Sequence, residues 1–189
     1  MVSRLLFTAL CGLVAVQRLR EVRTSRRNEL RLLARGAREH AAGQFAAMRA
    51  LHAAWIVGSG VEVWLLRRRF SARVALPMLG VFAAGQLLRR SARLALGERW
   101  TVRVITLPGC PPVTSGPYRY VRHPNYLGVA CEIAALPLMH GAWLSALGFS
   151  LANALLLTAR VRAEEAALDE SGLYARQFAA TPRFVPARR

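Results

Sequence analysis

The sequence predicts an all-α integral membrane protein with about five transmembrane helices, the last two forming a helical hairpin. The first observation behind this prediction is an uncharged run of eighteen residues, 142–159, close to the ~20 residues that span a hydrocarbon core. The second is a 54% hydrophobic composition combined with a net charge of +17. Such a charge is typical either of nucleic-acid binders or of membrane proteins with basic inner loops. The apolar runs favour the membrane protein and predict no nucleic-acid partner.

The apolar segments give the individual helices. They cover residues 4–17, 50–66, 74–88, 124–140 and 142–159. The first resembles a signal peptide, but no small-x-small site leads into a secreted domain, so we expect a retained span. The third contains Pro77, a break that neighbouring helices can absorb. The connection between the last two segments is so short that they must form a tight hairpin.

The distribution of arginine predicts the orientation in the membrane. If 18–49, 89–123 and 160–189 face the cytoplasm, that side carries 22 arginines and the opposite side five. This is the asymmetry that the positive-inside rule describes. The four arginines within 67–73 run against it. We therefore expect an integral membrane protein whose functional site and C-terminal tail face the cytoplasm.

Two connecting regions have more than one interpretation. Residues 18–49 have a helical, arginine-rich composition, typical of an interfacial helix on anionic lipid. Alternatively, "RRNE" and "ARGARE" within them help to close a binding site. Residues 101–117 are rich in turn formers after a β-branched start, which predicts a short strand or a loop lying over a site. Three widely separated cysteines follow no metal-ligand spacing, so no metal site is predicted.

A polar cluster precedes the fourth apolar segment. The stretch "GPYRYVRHPNYLG", residues 116–128, contains three tyrosines, two arginines and a histidine. Pro124 suits the first turn of a helix, where its missing N–H costs nothing. The free N–H groups of that turn can receive an anion such as a carboxylate. We therefore expect a helix-start anion site at the boundary of the membrane.

A second polar cluster, "RVRAEE", leaves the fifth segment at 160–165. Because the hairpin is tight, its two open ends are neighbours, and the two clusters converge. Each residue alone has a structural explanation: arginines that anchor headgroups, His123 as a helix cap, Arg160 and Glu164 as an i,i+4 pair. Polar groups that converge from two helices at a membrane boundary instead indicate a functional site.

These two clusters, followed by "LDESGLYARQFAATPRFVP", resemble the isoprenylcysteine carboxyl methyltransferase family. The family pattern is R-H-P-x-Y-x-G, then R-x-x-E-E, then an aromatic-Pro segment. Within 113–186 the first and the last occur as written, and "RVRAEE" places one arginine directly before and one directly after the expected position. We accordingly divide the single membrane domain into N-terminal helices, 1–112, and a catalytic region, 113–189. The upstream part is similar to a bacterial branch that accompanies polyketide synthases making long-chain phenols and pyrones.

The resemblance implies an S-adenosylmethionine-dependent O-methyltransferase that modifies a carboxylate or hydroxyl oxygen of a lipophilic acceptor in the membrane. It implies that Arg160 or Arg162 pairs with the acceptor oxygen, with Arg162 favoured, and that Glu164 assists. The residues implied in cofactor binding are Tyr118, His123, Pro124, Tyr126, Leu127, Gly128, Glu164 and Glu165.

Two other functions compete with the methyltransferase. One is an NADPH-dependent membrane lipid reductase of related architecture, since the many arginines suit a 2′-phosphate. The other is a non-catalytic scaffold whose arginines only bind lipid headgroups. The motifs concern the methyl donor, so the sequence leaves open the acceptor, the choice between carboxyl and hydroxyl methylation, and the oligomeric state.

Overall fold

The computed structural model describes residues 1–170 and 172–185 and is mostly helical. Five long helices follow one another along the chain: α1 Val2–Ala34, α2 Gly43–Leu65, α3 Ala72–Leu96, α4 Pro124–Leu138 and α5 Trp143–Leu168. A short helix, α6 Leu173–Gln177, and two 3₁₀ turns, Gly97–Arg99 and Gly116–Arg119, complete the helical part. Two three-residue strands, β1 Arg38–His40 and β2 Val104–Thr106, pair antiparallel.

The five long helices run alternately between two ends of a bundle. At one end, Trp64 Nε1 donates to Thr8 Oγ1 (2.9 Å), which holds the end of α2 beside the start of α1. We call this the hairpin end, since it includes the α4–α5 connection at 139–142. At the other end, Asn28 Nδ2 donates to the Trp100 carbonyl (2.8 Å), joining α1 to the segment that follows α3. We call this the basic end, because most of the arginines lie there.

The membrane prediction is confirmed in part. Among the described helices, α1 and α5 are long and apolar enough to cross a membrane. Five long helices are present, and the tight hairpin between α4 and α5 is confirmed. Membrane crossing by α2, α3 and α4 stays a prediction.

The interpretation of 18–49 as a single interfacial helix is wrong. Residues 18–34 continue the first helix without a break, and α2 begins at Gly43. Between them the chain turns at Gly36, whose φ of +85° favours glycine. It then forms β1, which pairs with the strand that the sequence predicted within 101–117. A salt bridge from Arg103 to Glu39 (2.6 Å) supports this pairing, so the protein is not strictly all-α.

Aromatic and aliphatic side chains fill the bundle toward the hairpin end. Trp55 is fully buried, and its Nε1 donates to the Ile133 carbonyl (3.1 Å), which ties α2 to α4. Phe7 of α1 and Phe82 of α3 pack in the same cluster. The polar groups of the molecule are consequently concentrated nearer the basic end.

Helices α3 and α4 approach each other closely at two glycines. A Cβ at Gly128 would lie 2.5 Å from Arg89 Cγ and 2.7 Å from the Gly85 carbonyl oxygen. Both distances are shorter than any real Cβ contact, so only glycine fits there. This contact fixes the position of α4, and with it the polar cluster at the start of that helix.

Gly128→Ala should therefore destabilise the protein by about 1–3 kcal/mol, the usual cost of overpacking a core. Gly148→Ala is a matched control, because a Cβ at Gly148 meets no atom within 4 Å. Thermal unfolding in detergent measures both effects. Equal midpoints for the two variants would contradict the proposed close contact.

Candidate active site

A chamber of about 620 Å³ lies between the five long helices near the basic end. Its volume is in the range of small-molecule sites, 300–1,000 Å³. Both predicted parts of the chain, before and after residue 112, contribute to its walls. The polar side chains that line it are Arg18, Glu21, Arg49, His52, Arg89, Thr101, Tyr118, Arg122, His123, Asn125, Tyr126, Arg160 and Glu164.

The start of α4 forms one wall of the chamber. Pro124 is the first helical residue, as predicted, and His123 lies at the N-cap position with non-helical backbone angles. Its ring makes no capping bond; instead Nε2 lies 3.0 Å from Glu165 Oε1 at the end of α5. Because a carboxylate only accepts, Nε2 carries the hydrogen. The capping interpretation of His123 is thus replaced by a contact across the hairpin.

Tyr126 connects the same two helices one turn further on. Its hydroxyl donates to Glu164 Oε2 and accepts from Arg160 Nε (2.7 Å). Arg160 is only 4% exposed and also donates to the Val102 carbonyl. The expected direct Arg160–Glu164 pair is therefore mediated by the phenol. These bonds hold a guanidinium, a phenol and a carboxylate at one end of the chamber.

Tyr118 and Asn125 line the chamber beside this group. Burial, with a smaller contribution from Glu164, raises the pKa of the Tyr118 phenol, so it is neutral and able to donate a hydrogen bond. Asn125 Oδ1 is buried and has no hydrogen-bond partner among the described residues. An unsatisfied buried carbonyl is unusual in native proteins, and it indicates a site that a ligand completes.

Residues 181–184 form a strap across the start of α4. The N–H groups of Arg122 and His123 donate to the carbonyls of Pro182 (2.9 Å) and Arg183 (3.1 Å). Arg183 also forms a salt bridge with Glu165 (2.6 Å). Part of the predicted tail therefore lies directly against the site. Its last residues, 186–189, lie outside the described residues.

Five of the predicted site residues do not line the chamber: Pro124 and Glu165 lie beside residues that line it, and Leu127, Gly128 and Arg162 lie away from it. Leu127 and Arg162 line a separate groove of about 360 Å³ between α4 and α5. Arg162 is exposed there, whereas Arg160 faces the chamber. Gly128 lies against α3. The structure thus separates the two arginines that the sequence left as alternatives.

A buried ionic cluster in the same chamber was missed from the sequence. Arg89, 3% exposed, donates to Glu21 (2.5 Å) and to Glu132 (3.1 Å), which is fully buried. Arg18 bonds to both of these glutamates. A signal was present, since a lone acid such as Glu132 within an apolar run needs a buried partner.

Part of 18–49 helps to close the chamber, as the second interpretation of this region proposed. Ser25 Oγ accepts from the Val102 N–H (2.7 Å), and Asn28 binds the Trp100 carbonyl (2.8 Å). Trp100 and Val102 themselves line the chamber. The polar face of α1 therefore holds this loop in place over the site.

Comparison with known proteins identifies a family and several relatives of this chain. The model of the isoprenylcysteine carboxyl methyltransferase (ICMT) family matches residues 78–170. An uncharacterised Bacillus subtilis (strain 168) protein, YpbQ, is 33% identical over 165 residues, 87% of this chain and 98% of that protein. An uncharacterised protein of Haemophilus influenzae is 30% identical over 146 residues, 76% of this chain and 83% of that protein.

A named enzyme is similar over a shorter region. The protein-S-isoprenylcysteine O-methyltransferase of Schizosaccharomyces pombe is 35% identical over 92 residues, 48% of this chain and 39% of that protein. The matched family region contains the whole of α4 and α5, and thus the two polar clusters that converge on the chamber. The chain belongs to the isoprenylcysteine carboxyl methyltransferase family of methyltransferases.

Proposed function

We propose that the protein is an S-adenosylmethionine-dependent O-methyltransferase that methylates a carboxylate or hydroxyl oxygen of a lipophilic acceptor at the membrane. The observation that carries this proposal is the convergence of His123 and Tyr126 with Arg160 and Glu164 at one end of the chamber. Family membership supports the methyl-transfer chemistry. No observation favours the reductase.

The residues present fit the methyl donor. Its methionine end carries an ammonium and a carboxylate, and its ribose carries hydroxyls. Glu164 supplies a carboxylate for the ammonium or the hydroxyls, and the unpaired Asn125 Oδ1 supplies a further acceptor. Tyr118 and the N–H groups in the first turn of α4 supply donors for the carboxylate. The chamber therefore offers both the hydrogen-bond acceptors and the hydrogen-bond donors that this molecule requires.

Each of these residues has a separate task. His123 is held by Glu165, and we propose that together they fix the start of α4 around the methionine end. Tyr126 and Glu164 hold the opposite side of the same pocket. When bound, S-adenosylmethionine supplies an electrophilic methyl group on a sulfonium. Alignment with the acceptor and exclusion of water are then the main requirements for transfer.

Arg160 is our candidate for pairing with the acceptor oxygen. Of the two arginines considered, it is the one that lines the chamber, and it is held by Tyr126 and the Val102 carbonyl. A guanidinium offers several donors in a fixed plane, which suits a carboxylate or an oxyanion. Arg162 lies in the neighbouring groove.

The acceptor enters, in this proposal, between α1 and α2. The chamber wall on this side contains exposed residues, among them Leu19, which is 60% exposed, and the small side chains Ala46, Ala50 and Ala53. Small apolar residues leave room for a lipid chain to pass. The arginine-rich basic end faces the cytoplasm, as the positive-inside rule expects. The water-soluble donor then arrives from the cytosol.

Binding of S-adenosylhomocysteine to detergent-purified protein, measured by calorimetry, tests the donor. We expect micromolar binding to the wild type and a loss of at least about tenfold in Glu164→Gln, which removes the negative charge beside Tyr126 and leaves Glu21, the other carboxylate that lines the chamber, in place. Glu98→Gln is the control, because Glu98 lies in an exposed pair with Arg31 away from the chamber.

NADPH is titrated in parallel. If the protein binds NADPH but not S-adenosylhomocysteine, the reductase replaces the methyltransferase as the proposed function. If it binds neither ligand, the non-catalytic scaffold is the remaining interpretation. Equal affinities of the wild type and Glu164→Gln for S-adenosylhomocysteine would show that the methyl donor does not bind at this end of the chamber.

A further inference from the structure

A second cavity, the groove of about 360 Å³ between α4 and α5, adjoins the chamber, and Tyr126 lines both. Most of its lining is apolar, including Ala130 of α4 and Leu157 of α5. Beside it on α5, Leu151 and Leu155 are 59% and 75% exposed. Because α5 is long and apolar enough to cross a membrane, we expect this side of the helix, and with it the groove, to face lipid.

Two polar side chains line this apolar groove without hydrogen-bond partners among the described residues. Asn153 is 2% exposed, and its Oδ1 is one of these unpartnered atoms. Ser150 lies three residues earlier on α5, and its buried Oγ is the other. Buried polar groups usually have a partner, and a plain hydrocarbon chain provides none. The groove therefore suits a ligand that donates a hydrogen bond to Asn153 Oδ1.

The end of the groove nearest the basic end carries positive charge. Arg162 is exposed there and pairs with no carboxylate among the described residues. Arg183 also lines the groove and shares Glu165 with Arg122, so two guanidinium groups face one carboxylate (2.6 and 3.6 Å). An excess of guanidinium groups attracts an anion such as a carboxylate. We therefore expect the ligand to have an anionic headgroup.

The positions of these residues on α5 give the dimensions of the ligand. From Arg162 to Ser150, twelve residues correspond to about 18 Å along the helix axis, close to the ~15 Å of half a hydrocarbon core. From Arg162 to Asn153, nine residues correspond to about 14 Å. The ligand is thus a molecule of one leaflet, with its anionic end at the membrane boundary and a hydrogen-bond donor about 14 Å away.

The width of the groove favours a single chain. Its volume divided by its length of about 18 Å gives a mean cross-section of about 20 Å². An α-helix is about 10–12 Å across with its side chains, so a helix of another protein rests on the rim of the groove. A single extended hydrocarbon chain can instead lie along the floor, where Asn153 is buried. A second copy related by a twofold axis along the membrane normal would also bring two Arg162 side chains together.

We propose that the groove between α4 and α5 binds a long-chain hydroxy fatty acid. Its carboxylate pairs with Arg162 and Arg183, its chain lies along the apolar lining, and its hydroxyl donates to Asn153 Oδ1. This site is separate from the donor and acceptor sites in the chamber and does not rest on the proposed function. Tyr126 connects the two cavities, because it lines the groove while its hydroxyl is bonded to Arg160.

Two probes that differ by one hydroxyl, 12-hydroxystearate and stearate, test the proposal. Eleven staggered carbon–carbon bonds of about 1.5 Å place this hydroxyl about 14 Å from the carboxylate, which matches the spacing from Arg162 to Asn153. Native mass spectrometry of the protein in detergent measures the affinity for each probe. We expect the wild type to bind 12-hydroxystearate about two- to tenfold more tightly than stearate, the contribution of one hydrogen bond.

Two variants separate the two contacts. Asn153→Leu removes the acceptor at similar volume, so we expect it to bind both probes equally, and its retained binding of stearate verifies that it is folded. Arg162→Gln removes the charge at the mouth and should weaken binding of both probes by about two- to fivefold, as for a partly exposed ion pair. Arg176→Gln is the matched control, because it removes the same charge from an exposed residue of α6 outside the groove.

The contrary outcomes are distinct. Equal affinities of the wild type for the two probes overturn the hydroxy fatty acid as the ligand. A preference for 12-hydroxystearate that persists in Asn153→Leu means that the probe binds elsewhere, and it overturns the site. Equal weakening in Arg162→Gln and Arg176→Gln attributes the effect to net charge and overturns the headgroup contact. None of these outcomes depends on whether the chamber binds S-adenosylhomocysteine.

Discussion

Arg160→Lys should lower the rate of methyl transfer by about a hundredfold or more, the usual loss when one oxyanion donor is removed. The Arg160 guanidinium reaches the Tyr126 hydroxyl and the Val102 carbonyl simultaneously from a 4% exposed position. A lysine ammonium keeps the charge but not the planar arrangement of donors. Single-turnover transfer of a labelled methyl group to a lipophilic acceptor measures the change.

Arg162→Lys is the matched control for this experiment. Arg162 is two residues away on the same helix, but it is exposed and lines the separate groove. We expect a change of less than about threefold, since surface substitutions away from a site are usually small in effect. A larger loss in Arg162→Lys than in Arg160→Lys would reverse the assignment of the two arginines.

Glu132→Gln should destabilise the protein by about 3–5 kcal/mol, the usual result of breaking a buried ion pair. Glu132 is fully buried and is bonded by both Arg18 and Arg89. Without this negative charge, Glu21 is the remaining carboxylate bonded to the guanidinium groups of Arg18 and Arg89, which lie between three helices. Thermal unfolding of the purified protein in detergent measures the effect.

Glu98→Gln again provides a comparison, because the Arg31–Glu98 side chains are 63% and 58% exposed. Exposed pairs contribute only about 0–1 kcal/mol. If Glu132→Gln unfolds at the same temperature as Glu98→Gln, the buried cluster is not a main source of stability.

The sequence predicted the elements whose patterns are local. Pro124 at the start of α4, the tight hairpin and the approach of "RVRAEE" to "RHPNY" all follow from short segments and one connection. The family resemblance was carried by the same segments. The proximity of Tyr126, Arg160 and Glu164 followed from the hairpin alone, whereas the position of the phenol between the other two side chains did not.

The remaining features depend on distant partners. Pairing of Arg18 with Glu132, or of Asn28 with the Trp100 carbonyl, joins residues more than seventy positions apart. The choice between Arg160 and Arg162 depends on the rotation of α5, and an apolar helix surrounded by lipid and protein gives little periodic signal for it. The strand β1 forms only because β2 lies beside it.

The strap at 181–184 has a consequence for mutational surveys. Its two bonds to the start of α4 are accepted by the backbone carbonyls of Pro182 and Arg183. Side-chain substitutions leave these carbonyls in place, so an alanine scan would report the Arg183 salt bridge to Glu165 but would miss these two backbone bonds. Shortening the chain before Thr181 removes both bonds together. The contribution of these backbone bonds would then become visible in deletion or limited-proteolysis experiments.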